Sequence, residues 1–144
     1  MGLLSRLRRK PPVPVVLDPG DPALVVLIEA YDAARADSSV LVEAAERGVD
    51  LSGPLLLRHH LIGLPDDAAV ARAAELLGQD GYAVALDRAD GHAPIAVCAT
   101  RTQVLTALSA SQERSRMAGL AQRLGGDVAG WDALGPGHVA EPAP

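Results

Sequence analysis

No phenylalanine occurs among the 144 residues, and the chain has only one tryptophan and two tyrosines. The core must therefore be built from Leu, Val, Ile and Ala. Such side chains pack helices and strands closely but supply few large anchors. The length fits one domain of ordinary size with flanking segments.

Cysteine is almost as scarce, because Cys98 is the only one. A single thiol excludes an internal disulfide and a Cys-rich zinc site, and it suits a reducing, cytoplasmic setting. No apolar run in the sequence is long enough to span a membrane. We interpret the first ten residues as a basic terminus rather than a signal peptide or a membrane contact.

Basic residues are few outside that terminus. The formal net charge is −5, and four of the 13 basic residues lie in the first ten positions, so the chain from Pro11 onward carries −9. Nucleic-acid-binding proteins usually present a basic face. We therefore expect no direct contact with RNA or DNA, and a basic protein partner would suit this body better.

Two short helices are predicted before residue 54. Asp21 and Pro22 have the character of a helix start, and apolar residues then recur at the spacing of one helix face: Leu24, Leu27, Ile28 and Tyr31. A second helix is predicted between Asp37 and Gly48.

The rest of the chain alternates strands and helices in the order β-α-β-β-α-β, from Leu55 to Leu134. This order is typical of the ferredoxin-like split βαβ arrangement, an α+β fold with two helices on one face of an antiparallel sheet. The chain then divides into four segments: a flexible basic, Pro-rich N-terminus (1–20), a helical N-terminal extension (21–53), the ferredoxin-like domain (54–134) and a disordered tail (135–144).

Strand alternation assigns side chains to the two faces of that sheet. Arg58 is hard to bury beneath helices, so we place it on the open face together with His60, and we place His59 among the helices. On the next strand, Ala83 and Ala85 should lie on the open face. Such a face should be covered by the N-terminal helices, a second subunit or a partner.

The candidate chemical sites all have simpler structural interpretations. Adjacent strand residues point to opposite faces, so His59 and His60 cannot easily share a metal, and a hydrogen-bonded structural histidine is favoured. Cys98 is interpreted as an inert core thiol. Asp66 and Asp67 are explained by helix capping. We therefore expect no catalytic residue, no metal site and no cofactor.

Five short stretches match one known family in order and spacing: ERGVDLSGP (46–54), RHHL (58–61), GYAV (81–84), IAVCAT (95–100) and GWD (130–132). Together they resemble the RraB-like family, the bacterial regulators of ribonuclease E activity B. The resemblance spans about residues 41–134. It implies a non-enzymatic protein that binds an endoribonuclease of the RNase E type and modulates RNA turnover.

The sequence is therefore compatible with two functions. The first is the ribonuclease regulator that the resemblance implies. The alternative is a ferredoxin-like ligand-sensing or oligomerisation module, in which a homodimer would use the open face. Trp131 is either a core anchor or a contact residue. In either function the predicted protein-binding residues are Arg58, His60, Ala83, Ala85 and Trp131.

Overall fold

The computed structural model describes residues 15–87 and 94–137. Within these ranges the chain forms a five-stranded antiparallel sheet that packs against a layer of three helices. The elements in chain order are β1 (Leu24–Ala30), α1 (Asp37–Glu46), β2 (Leu55–Leu64), α2 (Asp67–Gly78), β3 (Ala83–Leu86), β4 (Ile95–Gln103), α3 (Ala107–Arg123) and β5 (Asp127–Pro136). The predicted α+β fold class is confirmed.

The strands lie in the order β1-β5-β2-β4-β3. Without β1, the order β5-β2-β4-β3 and the connections through α2 and α3 are those of the split βαβ arrangement. β2 and β4 run antiparallel through the middle of the sheet and pair from Leu55↔Gln103 to Leu64↔Ile95, with an irregularity after Leu61. The predicted order of elements from residue 55 onward is therefore confirmed.

The prediction of a first N-terminal helix is wrong, because residues 24–30 form strand β1 and pair with β5. The register shifts between Val26 and Ile28. Leu27 and Ile28 both pack into the core on the helix side of the sheet. A bulge turns two successive side chains to the same side, which mimics the i, i+3, i+4 spacing of a helix. The β-branched Val25, Val26 and Ile28 are the sequence signal that favours a strand.

The second N-terminal helix is confirmed as α1, but it does not cover the open face. α1 contacts α3 and β1, and its buried side chains join the core between the sheet and the helices. The segment before β1 covers one end of the opposite face instead, where the backbone N–H of Leu17 donates to Thr102 Oγ1 at 2.9 Å. We call the sheet face opposite the helices the open face.

The start of α2 follows the predicted chemistry, whereas α1 begins after Ala36 without a side-chain cap. Asp66 caps α2 by accepting from the backbone N–H of Ala69 at 2.9 Å. Thr106 and Ser109 form a capping box at the start of α3, which the sequence reading did not single out.

The segment limits differ at the C-terminal end, where β5 continues to Pro136 rather than ending at Leu134. Most of the predicted N-terminus and tail, and residues 88–93 between β3 and β4, lie outside the described residues.

Candidate functional site

The two most distinctive tripeptides of the sequence face each other across neighbouring strands. β2 and β5 pair Arg58 with Asp132, His59 with Trp131 and His60 with Gly130. Because side chains alternate along a strand, the middle pair points to the helices and the outer two to the open face. One stretch of ladder therefore builds two different environments.

On the helix side, Trp131 and His59 are buried at 1% and 2% exposure. Trp131 Nε1 donates to Asp37 Oδ1 at 3.1 Å, and Arg114 Nη2 lies 2.9 Å from the same oxygen. Asp37 is itself buried at the start of α1. The indole thus ties β5 to α1 and α3 through a polar contact inside the core.

His59 lies beside Tyr82, with the ring centroids 6.0 Å apart and the rings close to edge-on. Its Nε2 has no hydrogen-bond partner among the described residues. Burial lowers the pKa of His59 to about 4, so the ring is neutral at pH 7. The interpretation as a structural histidine fits this placement, but the hydrogen bond expected for it is not formed at Nε2.

On the open side, Asp132 is the centre of a charged cluster although it is only 2% exposed. Arg58 Nε donates to Asp132 Oδ1 at 2.8 Å and Nη2 donates to Oδ2 at 2.6 Å, a bidentate pair. The Tyr31 hydroxyl donates to Oδ2 at 2.7 Å. Burial by itself would raise the pKa of Asp132, but contacts from His60, Arg58 and Tyr31 hold it well below its usual range.

His60 lies between two carboxylates. Its Nδ1 is 3.1 Å from Asp87 Oδ2, and its Nε2 is 3.4 Å from Asp132 Oδ1. The second contact is too long for a good hydrogen bond, and Nε2 is accordingly left without a bonded partner among the described residues. Asp132 raises the pKa of His60 against the opposing effect of burial, and Asp87 adds to the rise.

Tyr31 reaches this cluster because Gly130 leaves room for it. Gly130 has φ +140°, and a Cβ there would lie 2.5 Å from the Ala30 carbonyl oxygen and 2.9 Å from Tyr31 Cα. Only a residue without a side chain permits so close an approach of β1 to β5. The chain leaving β1 therefore crosses onto the open face, where the Tyr31 ring lies 5.8 Å from that of His60.

Arg58, His60 and Asp132 thus form a compact, ion-paired cluster on a sheet face that no helix covers among the described residues.

A family model described as "Regulator of ribonuclease activity B" (RraB) matches residues 34–133. The chain belongs to the RraB family. No curated protein and no solved structure matches the chain. The family is described as one of regulators of ribonuclease activity.

The RraB match includes every residue of the two facing tripeptides, whereas β1 and Tyr31 precede it. The resemblance seen in RHHL and GWD therefore has a structural basis. The two motifs pair with each other across β2 and β5, and this pairing contributes side chains both to the helix side and to the open face.

The predicted binding residues divide in this RraB-family chain. Arg58 and His60 lie on the open face as expected, with side chains 29% and 14% exposed. Ala83 and Ala85 pair with Thr100 and Cys98, which places them on the same face, and both are exposed. The prediction that Trp131 belongs to the contact surface is wrong. Trp131 lies on the opposite, helix-covered side at 1% exposure and is a core anchor.

Cys98 lies directly opposite His60 on the neighbouring strand, a base that the sequence alone did not bring near it. Burial raises the pKa of Cys98 to about 11, with a further contribution from Asp87. The thiol is therefore protonated at neutral pH, the unreactive form.

Asp132 and Tyr31 are the cluster members that sequence reasoning missed. An aspartate inside the apolar stretch VAGWDAL was the available signal, because a buried carboxylate needs a cation, and Arg58 is the cation of the first predicted strand. Within residues 15–87 and 94–137, no three His, Cys, Asp or Glu side chains are grouped so as to hold a metal ion. No helix in the same part of the chain has the length and apolarity that crossing a membrane requires.

Proposed function

We propose that this protein binds an endoribonuclease of the RNase E type and lowers its activity without catalysing a reaction itself. The observation that carries the proposal is the RraB-family match over residues 34–133. The charge supports it as well, because ribonucleases carry basic RNA-binding surfaces and this chain carries −9 from Pro11 onward.

The open face is the proposed contact surface for that enzyme. It presents Ala83 and Ala85, whose small side chains allow close approach, and one strand further in, across β4, the partly exposed Arg58 and His60. Arg58 is already bonded to Asp132, so its role is to hold the surface rather than to supply a free charge. A partner would bury small apolar groups around a preorganised polar centre.

Binding to purified endoribonuclease E tests the proposal. We expect a complex at low salt that weakens as the ionic strength rises, because complementary surface charges are screened. The preparation must be nuclease-treated, so that bound RNA cannot bridge the two proteins. Cleavage of a short RNA should slow as this protein is added, whereas the protein alone should neither bind nor cleave that RNA. Absence of a complex at low salt would contradict the proposal.

One observation favours the alternative of an oligomerisation or ligand-sensing module. The open face lacks a helix layer in the described part of the chain, and Ile62 on that face is 41% exposed. Light scattering after gel filtration would distinguish the two functions. A dimer that Ala85→Arg converts to a monomer favours the alternative, and a monomer that binds the ribonuclease favours regulation.

A further inference from the structure

β1 closes one end of the sheet, with β5 on one side and no described strand on the other. The outward backbone groups of such an edge can pair with another chain, and proteins commonly block them with Lys, Pro or a very short strand. β1 is seven residues long, contains neither Lys nor Pro, and exposes Val25 and Val26 at 44% and 41%. The opposite edge strand, β3, has only four residues.

One side chain of this protein already uses the free edge. Arg47 Nη2 donates to the Leu27 carbonyl oxygen at 2.9 Å, and Leu27 is the bulge residue that has no partner in the register with β5. An open groove of 440 Å³ lies at this point, lined by Val26, Leu27, Glu29 and Arg47. The edge therefore offers both space and an acceptor that currently binds a guanidinium.

The charge around the edge indicates the kind of chain it would accept. Residues 18–50 contain eight acidic and two basic residues, whereas residues 51–137 contain nine acidic and seven basic. Only two of the eight carboxylates, Asp37 and Glu43, form ion pairs with described residues. Two copies meeting edge to edge would bring these like charges together, which disfavours a dimer here.

We propose that an extended, Lys- and Arg-rich segment of the ribonuclease adds to the outer edge of β1 as a sixth strand and displaces Arg47 from the Leu27 carbonyl. Backbone hydrogen bonds supply affinity in this mode, and side chains at alternate positions supply specificity. The inference rests on the proposed function and deepens it by naming a surface and the partner's chemistry. β1 precedes the residues matched by the family model.

Paired edge variants test the position of the contact. Val26→Lys places a charge on the exposed edge, and its matched control is Leu108→Lys on the helix layer, where Leu108 of α3 is 67% exposed. We expect Val26→Lys to weaken binding to endoribonuclease E about tenfold or more, the effect of a central interface residue, and Leu108→Lys to leave it unchanged. Circular dichroism must show that both variants fold.

Charge variants test the partner's chemistry. Glu29→Lys should weaken binding severalfold, whereas Glu75→Lys, an equal change on the exposed surface of α2, should not. Arg47→Ala should strengthen binding severalfold, because it frees the Leu27 carbonyl and removes a like charge.

A synthetic peptide of about ten residues with alternating Arg and Val, the length of a long strand, separates this inference from the proposed function. We expect it to bind, a Glu/Val peptide not to bind, and backbone amides of residues 24–30 to exchange more slowly in the complex.

If the enzyme fails to bind while the Arg/Val peptide protects β1, the ribonuclease assignment fails and the proposed binding of a basic strand to β1 stands. If the enzyme binds but the edge variants and the β1 amides are unaffected, the inference is overturned and the proposed function survives. A dimer that Val26→Lys dissociates would also overturn it, because the occupant would then be a second copy.

Discussion

The two faces of the sheet favour opposite charge states in neighbouring histidines, although the same pair of strands forms both faces. Beneath the helices, His59 is buried and neutral. On the open face, one residue further along the strand, His60 lies between two carboxylates that favour its charged form. On the helix side the histidine of β2 is thus held neutral, whereas on the open face the neighbouring histidine joins a cluster of charges around Asp132.

This difference separates a stabilising side from a side suited to recognition. Trp131 and its contact with Asp37 hold three elements together where no partner can reach them. Arg58, Asp132 and Tyr31 hold the open face in one arrangement before anything binds to it. A rigid, prearranged polar centre lowers the cost of ordering side chains when a partner binds.

The largest expected effect comes from breaking the open-face cluster. Asp132→Ala removes the acceptor of Arg58 and Tyr31 and leaves a guanidinium without its counter-charge. We expect the free energy of unfolding to fall by about 3 kcal/mol, the low end for breaking a buried ion pair, since Arg58 is partly exposed. Urea denaturation of both proteins measures it.

Asp127→Ala provides the control for this change, because Asp127 is an exposed aspartate on the same strand. Among the described residues its side chain bonds only to the backbone N–H of Val128. Its effect should stay within about 0.5 kcal/mol. Equal losses in the two variants would show that the open-face cluster adds nothing to stability.

The neutral histidine beneath the helices should make the fold sensitive to acid. The pKa of His59 in the folded state is lowered to about 4, so its contribution to stability is complete above the unfolded pKa of about 6.5 and is lost as the pH falls toward 4. The loss is on the order of 2 kcal/mol by pH 4.5. In His59→Leu, urea midpoints between pH 7 and 4.5 should fall less steeply than in the wild type. A slope unchanged by the substitution would contradict a neutral, buried His59.

His60 should act in the opposite direction and more weakly. Its pKa is raised in the folded state, so its contribution is complete below about pH 6.5 and is lost as the pH rises through the raised value. His60→Gln should therefore be less stable than the wild type at pH 5.5, by up to about 1 kcal/mol, and nearly equal to it at pH 9. A difference that grows toward high pH would contradict the placement of His60 between Asp87 and Asp132.

Sequence patterns predicted the elements from residue 55 onward because each has a local signal. Strand alternation placed Arg58, His60, Ala83 and Ala85 on one face, and Asp66 marked the start of α2. These features depend on neighbours only a few residues away, which is what periodicity and capping record.

The missed features all depend on distant partners. Asp132 meets Arg58 across 74 positions and Tyr31 across 101 positions of the chain. β1 was mistaken for a helix because a bulge gave it helical spacing, and only its pairing with β5 identifies it as a strand. The exclusion of Trp131 from the contact surface likewise follows from α1 packing over it, which residue type alone does not predict.

The most direct test of the account is to label the alanine methyl groups and to titrate the protein with endoribonuclease E while recording methyl NMR spectra. Ala83 and Ala85 report on the open face, and Ala71, exposed on α2, reports on the helix layer with the same probe group. If the open face is the contact surface, the signals of Ala83 and Ala85 shift or broaden while that of Ala71 stays unchanged. Changes confined to Ala71, with Ala83 and Ala85 unaffected, would contradict it.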